Sequence, residues 1–146
     1  ADGGITLISP FVGRISDWYK AQGGETPAVD PGVQSVRSIY AWSKQRGYAT
    51  FIMGASFRNI DQITALAGCD LLTIAPELLD QLEASEAEVP PAIRNGDIPA
   101  GLLNSAVPSE EQFRLALAMN PMAGEKLLEG IRRFVADQRS LEQDLA

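Results

Sequence analysis

Three short runs of apolar residues constrain the fold of this chain more than any other feature. They are residues 5–8, 50–53 and 71–75. Each run ends at serine, glycine or proline, and each is followed by a segment that is expected to be helical. Strands that are apolar throughout and that alternate with helices are typical of a parallel sheet covered on both faces. The sequence therefore predicts an α/β fold.

Capping residues and prolines mark the expected helix boundaries. Asp30 is placed to cap the helix that Pro31 begins. Asn59, three residues before Gln62, resembles a capping box and opens another helix. We expect helices from near residue 13, over residues 31–46, over residues 60–67 and over residues 77–84.

The last third of the chain has a different character. Residues 89–108 are rich in proline, glycine and asparagine and lack strong periodicity, which predicts a loop-rich segment. Residues 109–146 are predicted to be helical, with a capping-box pattern at Ser109 and a long amphipathic helix beginning at Pro121. The residues expected on the buried face of that long helix are Leu127, Leu128, Ile131, Phe134 and Val135. We expect the whole chain, residues 1–146, to form a single unit.

Composition excludes several kinds of chemistry. The chain has no histidine, so it holds neither a Ser-His-Asp nucleophile nor an imidazole metal site. Cys69 is the single cysteine, which excludes an intrachain disulfide and a cysteine-rich zinc site; we expect a buried, inert thiol. We therefore predict no metal site in this chain.

Charge and hydropathy bear on partners and location. With 12 basic and 19 acidic residues the formal net charge is −7, which argues against binding nucleic acid or an anionic membrane surface. No stretch of about 18 consecutive apolar residues is present, and the first residues lack the pattern of a signal peptide. We expect a cytoplasmic protein whose phosphate ligands, if any, meet a local basic spot.

The first two predicted strands end in similar sequences. Ser9, Phe11 and Arg14 follow the first strand, and Ser56 and Arg58 follow the second. In parallel α/β folds ligands bind beyond the carboxyl ends of the strands, so these side chains are the candidates for a site. Two arginines beside serine hydroxyls and helix N-termini suit a phosphate, because the guanidinium fork matches its oxygens.

Structural roles compete with this interpretation. Both arginines could form surface ion pairs, the serines could cap helices, and Phe11 could belong to the core. A Schiff-base lysine requires a desolvated position, and the three lysines, Lys20, Lys44 and Lys126, all have polar, helical surroundings. The residues alone thus indicate a binding half of a site without a nucleophile.

Five strings of residues, in their order and spacing, closely resemble the C-terminal part of transaldolase. They are LISPFVGRISDWY, DPGVQSV, MGASFRN, AGCDLLTIAP and MAGEKLLEGIRRF. The resemblance covers nearly the whole chain. It implies the C-terminal portion of a (β/α)₈ TIM barrel, from strands six to eight through the terminal helices, because a complete barrel needs about 250 residues. Ser16 stands where the family usually has an apolar residue.

The resemblance also implies roles for individual residues. Ser9 resembles the serine that contacts the dihydroxyacetone portion of the substrate, and Phe11 the aromatic that lines the pocket. Arg14, Ser56 and Arg58 resemble the phosphate clamp. The catalytic lysine, aspartate and glutamate of the family lie on earlier strands, so no catalytic residue is expected in this chain, and the family needs no cofactor.

The leading hypothesis is therefore the phosphate-binding side of a transaldolase of the pentose phosphate pathway, acting on sugar phosphates through a Schiff base formed elsewhere. The chain is expected to be inactive alone and to need the missing N-terminal part of the barrel. The alternative is a non-catalytic binding or assembly module, in which exposed sheet edges and an open apolar face drive association with another copy into a homo-oligomer. A small flavodoxin-like domain is a weaker third option, because a glycine-rich phosphate loop is absent.

Overall fold

The computed structural model describes residues 4–23, 29–94 and 107–145. The chain groups into two compact units, Ala1–Ser105 and Ala106–Ala146. Much of the expected loop-rich segment, residues 95–106, lies outside the described residues.

The first unit alternates strands and helices, as the sequence predicts. Its elements in the described residues are β1 (Leu7–Ile8), α1 (Val12–Ala21), α2 (Pro31–Gln45), β2 (Phe51–Ala55), α3 (Ile60–Thr64), β3 (Leu71–Thr73) and α4 (Pro76–Glu83). The strands form one sheet in the order β1-β2-β3, and both pairings are parallel. The prediction of an α/β fold with a parallel sheet is confirmed.

The helices of the first unit begin where the capping signals predict. The carboxylate of Asp30 accepts hydrogen bonds from the backbone N–H groups of Gly32 at 2.9 Å and Val33 at 3.0 Å, which caps α2. Asn59 caps α3 by accepting a hydrogen bond from the Gln62 N–H at 2.9 Å. Helix α3 is shorter than predicted, because the α-helical pattern ends after Thr64. Tighter turns follow, in which an N–H bonds to the carbonyl three residues earlier, as from Leu66 N–H to the Ile63 carbonyl.

The two faces of the sheet differ in exposure. Ile52 is fully buried, whereas its neighbour Phe51 is 48% exposed. Phe51 pairs in register with Leu7, and Met53 with Leu71, so alternation places these four side chains on the same face. We call the surface formed by Leu7, Phe51, Met53 and Leu71 the open face. The expectation that both faces are covered is wrong for the described residues of this unit, because its helices pack only on the Ile52 side.

The core of the first unit lies between that covered face and the helices. Its buried side chains are Val12, Val33, Val36, Ile52, Phe57, Ile63, Leu66 and Leu78. Close packing of α1 on α2 depends on Gly32, where any Cβ would collide with the Val12 carbonyl. The core therefore fixes α1 and α2 relative to β2.

The second unit contains α5 (Glu110–Ala118) and α6 (Pro121–Asp144) in its described residues. The predicted capping box is present: Ser109 Oγ accepts a hydrogen bond from Gln112 N–H, and Gln112 Oε1 accepts one from Ser109 N–H. The five apolar residues expected on the buried face of α6 are each at least 45% exposed, so that prediction is wrong. An apolar stripe is buried only when another layer packs on it, and periodicity along one helix does not show whether such a layer is present.

Candidate functional site

The carboxyl ends of β1 and β2 lie side by side. Beyond β1, the Pro10 carbonyl accepts a hydrogen bond from Ala55 N–H at 3.1 Å, and Phe11 forms a parallel bridge with Ala55. At the first turn of α1, Gly13 N–H donates to the Ser56 carbonyl at 2.8 Å. The two segments that carry the candidate residues are thus joined directly by backbone hydrogen bonds.

Glycine at position 13 makes this close approach possible. A Cβ atom at Gly13 would overlap the Ser56 carbonyl oxygen and would lie 2.6 Å from Nη1 of Arg58. Only a residue without a side chain allows the first turn of α1 to meet the β2 end in this way. Arg14, the next residue of α1, is thereby held beside the turn that contains Arg58.

The turn after β2 contains an unusual backbone conformation. Ser56 has φ of +62°, and among the described residues it is the only non-glycine residue with positive φ. This left-handed conformation costs an L-residue about 1–2 kcal/mol. Nη1 of Arg58 donates hydrogen bonds to the Ser56 carbonyl at 3.0 Å and to Ser56 Oγ at 3.1 Å. The strained turn therefore brings the hydroxyl and the guanidinium together.

Arg58 also forms a surface ion pair, which the sequence analysis left open as an alternative, although sequence reasoning did not name its partner. Nε and Nη2 of Arg58 both donate to Oδ2 of Asp17, at 3.0 and 2.8 Å. Both side chains are well exposed, so the pair contributes less than about 1 kcal/mol to stability. The signal available in the sequence was the position of Asp17 three residues after Arg14, on the same face of α1.

Arg14 and Phe11 form a second contact at the site. The guanidinium carbon of Arg14 lies 4.5 Å from the centre of the Phe11 ring, a cation–π arrangement. Phe11 is 38% exposed, so the alternative that it is a core residue is wrong. In contrast to Arg58, Arg14 makes no ion pair with any described acidic residue.

Ser9 is the least connected of the five candidates. It is half-buried just beyond the end of β1. No hydrogen bond joins its side chain to Ser56 or Arg58, although all three residues are described. The structure thus brings Ser56 and Arg58 into contact, and Arg14 and Phe11 into contact, with the Gly13 to Ser56 hydrogen bond between the two pairs.

Asp30 is a charged group close behind the site. Burial acts to raise its pKa, but hydrogen bonds from Gln62, Ser16, Val33 and Gly32 outweigh burial and hold the pKa of Asp30 below its ordinary value. The carboxylate is therefore ionised at neutral pH and acts only as a hydrogen-bond acceptor.

The lysines and the cysteine lie away from these residues. Lys44 pairs with Asp70 at 2.8 Å and donates a hydrogen bond to the Thr50 carbonyl. Thr50 lies at the amino end of β2, whereas Ser56 lies at its carboxyl end. Lys126 pairs with Glu129, and Lys20 is exposed in the last turn of α1.

Cys69 is half-buried and donates its S–H to the Ile52 carbonyl at 3.1 Å. Burial raises the pKa of this thiol above its ordinary value, so it is protonated at neutral pH. The geometry agrees with the expectation of an unreactive thiol.

The described ranges contain neither a metal-binding cluster nor a membrane-spanning helix. No three histidine, cysteine, aspartate or glutamate residues within them are grouped closely enough to hold a metal ion. None of the helices in the same ranges combines the length and the apolar character needed to cross a bilayer.

Comparison with known proteins gives a consistent result. Residues 1–145 match the family described as transaldolase/fructose-6-phosphate aldolase. Two curated relatives, each named transaldolase, come from Methylobacillus flagellatus and Methylomonas aminofaciens. Each relative is 53% identical to this chain. The alignment covers 100% of this chain but 46% of the relative. The chain thus spans a little under half the length of these relatives, and it belongs to the transaldolase/fructose-6-phosphate aldolase family.

Proposed function

We propose that this chain supplies the phosphate-binding side of a transaldolase site, which transfers a dihydroxyacetone unit between sugar phosphates in the pentose phosphate pathway. The observation that carries the proposal is the hydrogen bond from Gly13 N–H to the Ser56 carbonyl. It joins the first turn of α1, which carries Arg14, to the turn that carries Ser56 and Arg58. We infer that a phosphate group bound beside this contact is held by both arginines and by the Ser56 hydroxyl.

The local charge supports a phosphate ligand in a chain that is acidic as a whole. Arg14, Arg58 and Asp17 together carry a net charge of +1. Arg58 offers its fork to Asp17 and Ser56, and a dianion can compete for the same N–H groups because the ion pair is exposed and weak. The N-terminus of α1 adds a partial positive charge on the same side.

The remaining two candidates are assigned to the sugar. Ser9 is proposed to contact the dihydroxyacetone portion, and Phe11 is proposed to line the pocket. The cation–π contact supports the second role, because it holds the Phe11 ring exposed beside Arg14. No cofactor is needed for these binding roles, and we propose a cytoplasmic location.

The nucleophile is proposed to come from protein outside this chain. A Schiff-base lysine works best when desolvation lowers its pKa, and Lys44 and Lys126 are instead held by carboxylates while Lys20 is exposed. In this proposal the sheet corresponds to strands six to eight of a barrel. The open face and the 46% coverage of the relatives support a need for further strands.

Borohydride trapping tests this division of labour. The chain is incubated with fructose 6-phosphate and borohydride, alone and after reconstitution with the N-terminal part of a transaldolase relative. Covalent labelling is expected only in the reconstituted protein. Labelling of a lysine in the isolated chain would refute the assignment of the nucleophile to other residues.

The open face also favours a second candidate, an assembly module without catalysis. Leu7, Phe51 and Leu71 are each at least 40% exposed on one sheet face, an apolar surface suited to self-association. Light scattering over a range of concentrations separates the cases. A homo-oligomer that binds no sugar phosphate would support the assembly module, whereas a stable monomer would contradict it.

A further inference from the structure

A cluster of three polar side chains, two of them buried and one half-buried, lies directly behind the proposed phosphate site. Ser16 of α1 and Gln62 of α3 are 1% and 3% exposed, and Asp30 precedes α2. Ser16 Oγ lies 2.7 and 2.9 Å from the two carboxylate oxygens of Asp30, which share its single hydroxyl hydrogen. Gln62 Nε2 donates to Oδ2 of Asp30 at 2.9 Å and to Ser16 Oγ at 3.2 Å.

The cluster fixes which way the Gln62 amide points. The ionised carboxylate of Asp30 accepts hydrogen bonds and donates none, so the NH₂ group of Gln62 must face it. The amide oxygen, Oε1, then points the other way and accepts a hydrogen bond from the backbone N–H of Arg58 at 2.8 Å. The negative charge of Asp30 thus orients the Gln62 amide so that its oxygen accepts the hydrogen bond from Arg58 N–H.

That acceptor acts on the strained turn. One end of the turn is Ser56, which has φ of +62°. Its carbonyl is held by a hydrogen bond from the Gly13 N–H. The other end of the turn is held by Gln62 at the Arg58 N–H, and Phe57 between them is 7% exposed. Without the second anchor, the turn could relax from its unfavourable conformation.

We propose that Gln62, oriented by Asp30 and Ser16, is a positioning residue that sets the Ser56–Arg58 turn in the geometry that binds phosphate. This inference rests on the proposed function, because it assigns the turn a phosphate ligand. Gln62 itself touches no ligand and acts through the backbone N–H of Arg58. Ser16 stands where the family usually has an apolar residue, and its hydroxyl accepts a hydrogen bond from the Gln62 amide.

Replacement of Asp30 by asparagine tests the orientation step without removing the cap of α2. Asparagine is as good an N-cap as aspartate, but its amide presents an NH₂ group where Oδ2 faced Gln62. Gln62 must then turn its oxygen towards that NH₂ group and its own NH₂ towards the Arg58 N–H. We expect Asp30→Asn to weaken fructose 6-phosphate binding about tenfold, equivalent to about 1.4 kcal/mol, and to speed hydrogen exchange at the Arg58 amide.

A second substitution should restore both properties. In the double variant Asp30→Asn with Gln62→Glu, the new carboxylate accepts from the asparagine amide and from Arg58 N–H, and the net charge returns to that of the wild type. Binding and Arg58 exchange are expected within about threefold of wild type, a difference below about 0.7 kcal/mol. Gln62→Met removes the acceptor with little change in length and is expected to behave like Asp30→Asn.

The matched control is Asp61→Asn, which removes the same charge from the exposed first turn of α3 outside the cluster. Fructose 6-phosphate binding and Arg58 exchange are measured by amide NMR on the whole chain, with thermal melting as the test of folding. Unchanged binding in both Asp30→Asn and Gln62→Met, or failure of Gln62→Glu to rescue, overturns the positioning role alone. A wild-type chain that binds no fructose 6-phosphate overturns the proposed function together with this inference.

Discussion

The backbone N–H of Gly13 donates a 2.8 Å hydrogen bond to the carbonyl of Ser56, and this contact ties the first turn of α1 to the end of β2. It is possible because Gly13 has no side chain, and it brings the arginine after it close to the Arg58 turn. The geometry of the candidate site therefore depends on a residue that carries no chemistry itself.

Gly13→Ala is expected to be destabilising even though alanine favours helices. Its Cβ would overlap the Ser56 carbonyl, and overpacking of this kind costs about 1–3 kcal/mol. Urea unfolding measures the loss, and amide NMR measures the accompanying loss of fructose 6-phosphate binding.

The control is Gly130→Ala in α6, where a Cβ meets nothing within 4 Å. This variant should be neutral or more stable by up to about 1 kcal/mol, since alanine replaces glycine in an open helix position. Equal free energies of unfolding for the two variants would show that the close approach at Gly13 is not important.

Substitutions at Ser56 separate backbone strain from hydroxyl chemistry. Both Ser56→Ala and Ser56→Gly remove the hydroxyl that accepts from Arg58, and both are expected to weaken fructose 6-phosphate binding. Only glycine relieves the positive φ, so Ser56→Gly should be more stable than Ser56→Ala by about 1 kcal/mol. Chemical denaturation of the two variants provides the comparison, and a more stable alanine variant would contradict the strain at this position.

The two arginines are expected to be needed for phosphate and not for folding. Arg14→Ala and Arg58→Ala should each weaken fructose 6-phosphate binding by about 1.5–3 kcal/mol, the range for a hydrogen bond to a charged group. Arg58→Lys should restore little, because an ammonium cannot reproduce the guanidinium fork towards Ser56 and a phosphate. Isothermal titration calorimetry measures each affinity.

Arg114→Ala is the matched control for charge, because Arg114 forms an exposed ion pair with Glu110 on α5. It should leave the affinity for fructose 6-phosphate unchanged. An affinity lost equally in the Arg114 variant would mean that net charge, not the clamp, governs binding.

Local sequence signals predicted much of the fold. Asp30 and Asn59 cap the helices they were expected to cap, and the continuous apolar runs form parallel strands. These features depend on neighbouring residues along the chain, so they can be inferred from short windows. The likeness of the β1 and β2 ends also predicted that Arg14 and Arg58 would lie on adjoining segments, since parallel strands end at one edge.

The details of the site depend on how α1 packs against β2, which no short window contains. The pair between Asp17 and Arg58 joins residues 41 positions apart, and the bond from Gln62 to Ser16 joins residues 46 apart. The sequence marks Ser16 as a polar residue where the family usually has an apolar one, but only the packed structure shows that Ser16 is buried and bonded to Asp30. The prediction of a buried apolar stripe on α6 was wrong for a related reason. Periodicity identifies an apolar face but not the layer that covers it.

The half-buried, hydrogen-bonded carboxylate of Asp30 predicts a specific loss of stability in acid. Hydrogen bonds from Gln62 and Ser16 and the cap of α2 lower the pKa of Asp30 in the folded chain below its ordinary value of 3.8. The folded state therefore binds this proton less readily than the unfolded state, and the stabilisation is fully present above the unfolded pKa and is lost as the pH falls through the folded pKa. The free energy of unfolding, measured by urea titration at pH 5, 4 and 3, should fall across this series, and more steeply in the wild type than in Asp30→Asn, which has no carboxyl at this position. Asp61→Asn, which leaves the cluster intact, should retain the wild-type steepness; parallel curves for the wild type and Asp30→Asn would show that the cluster does not favour the ionised carboxylate.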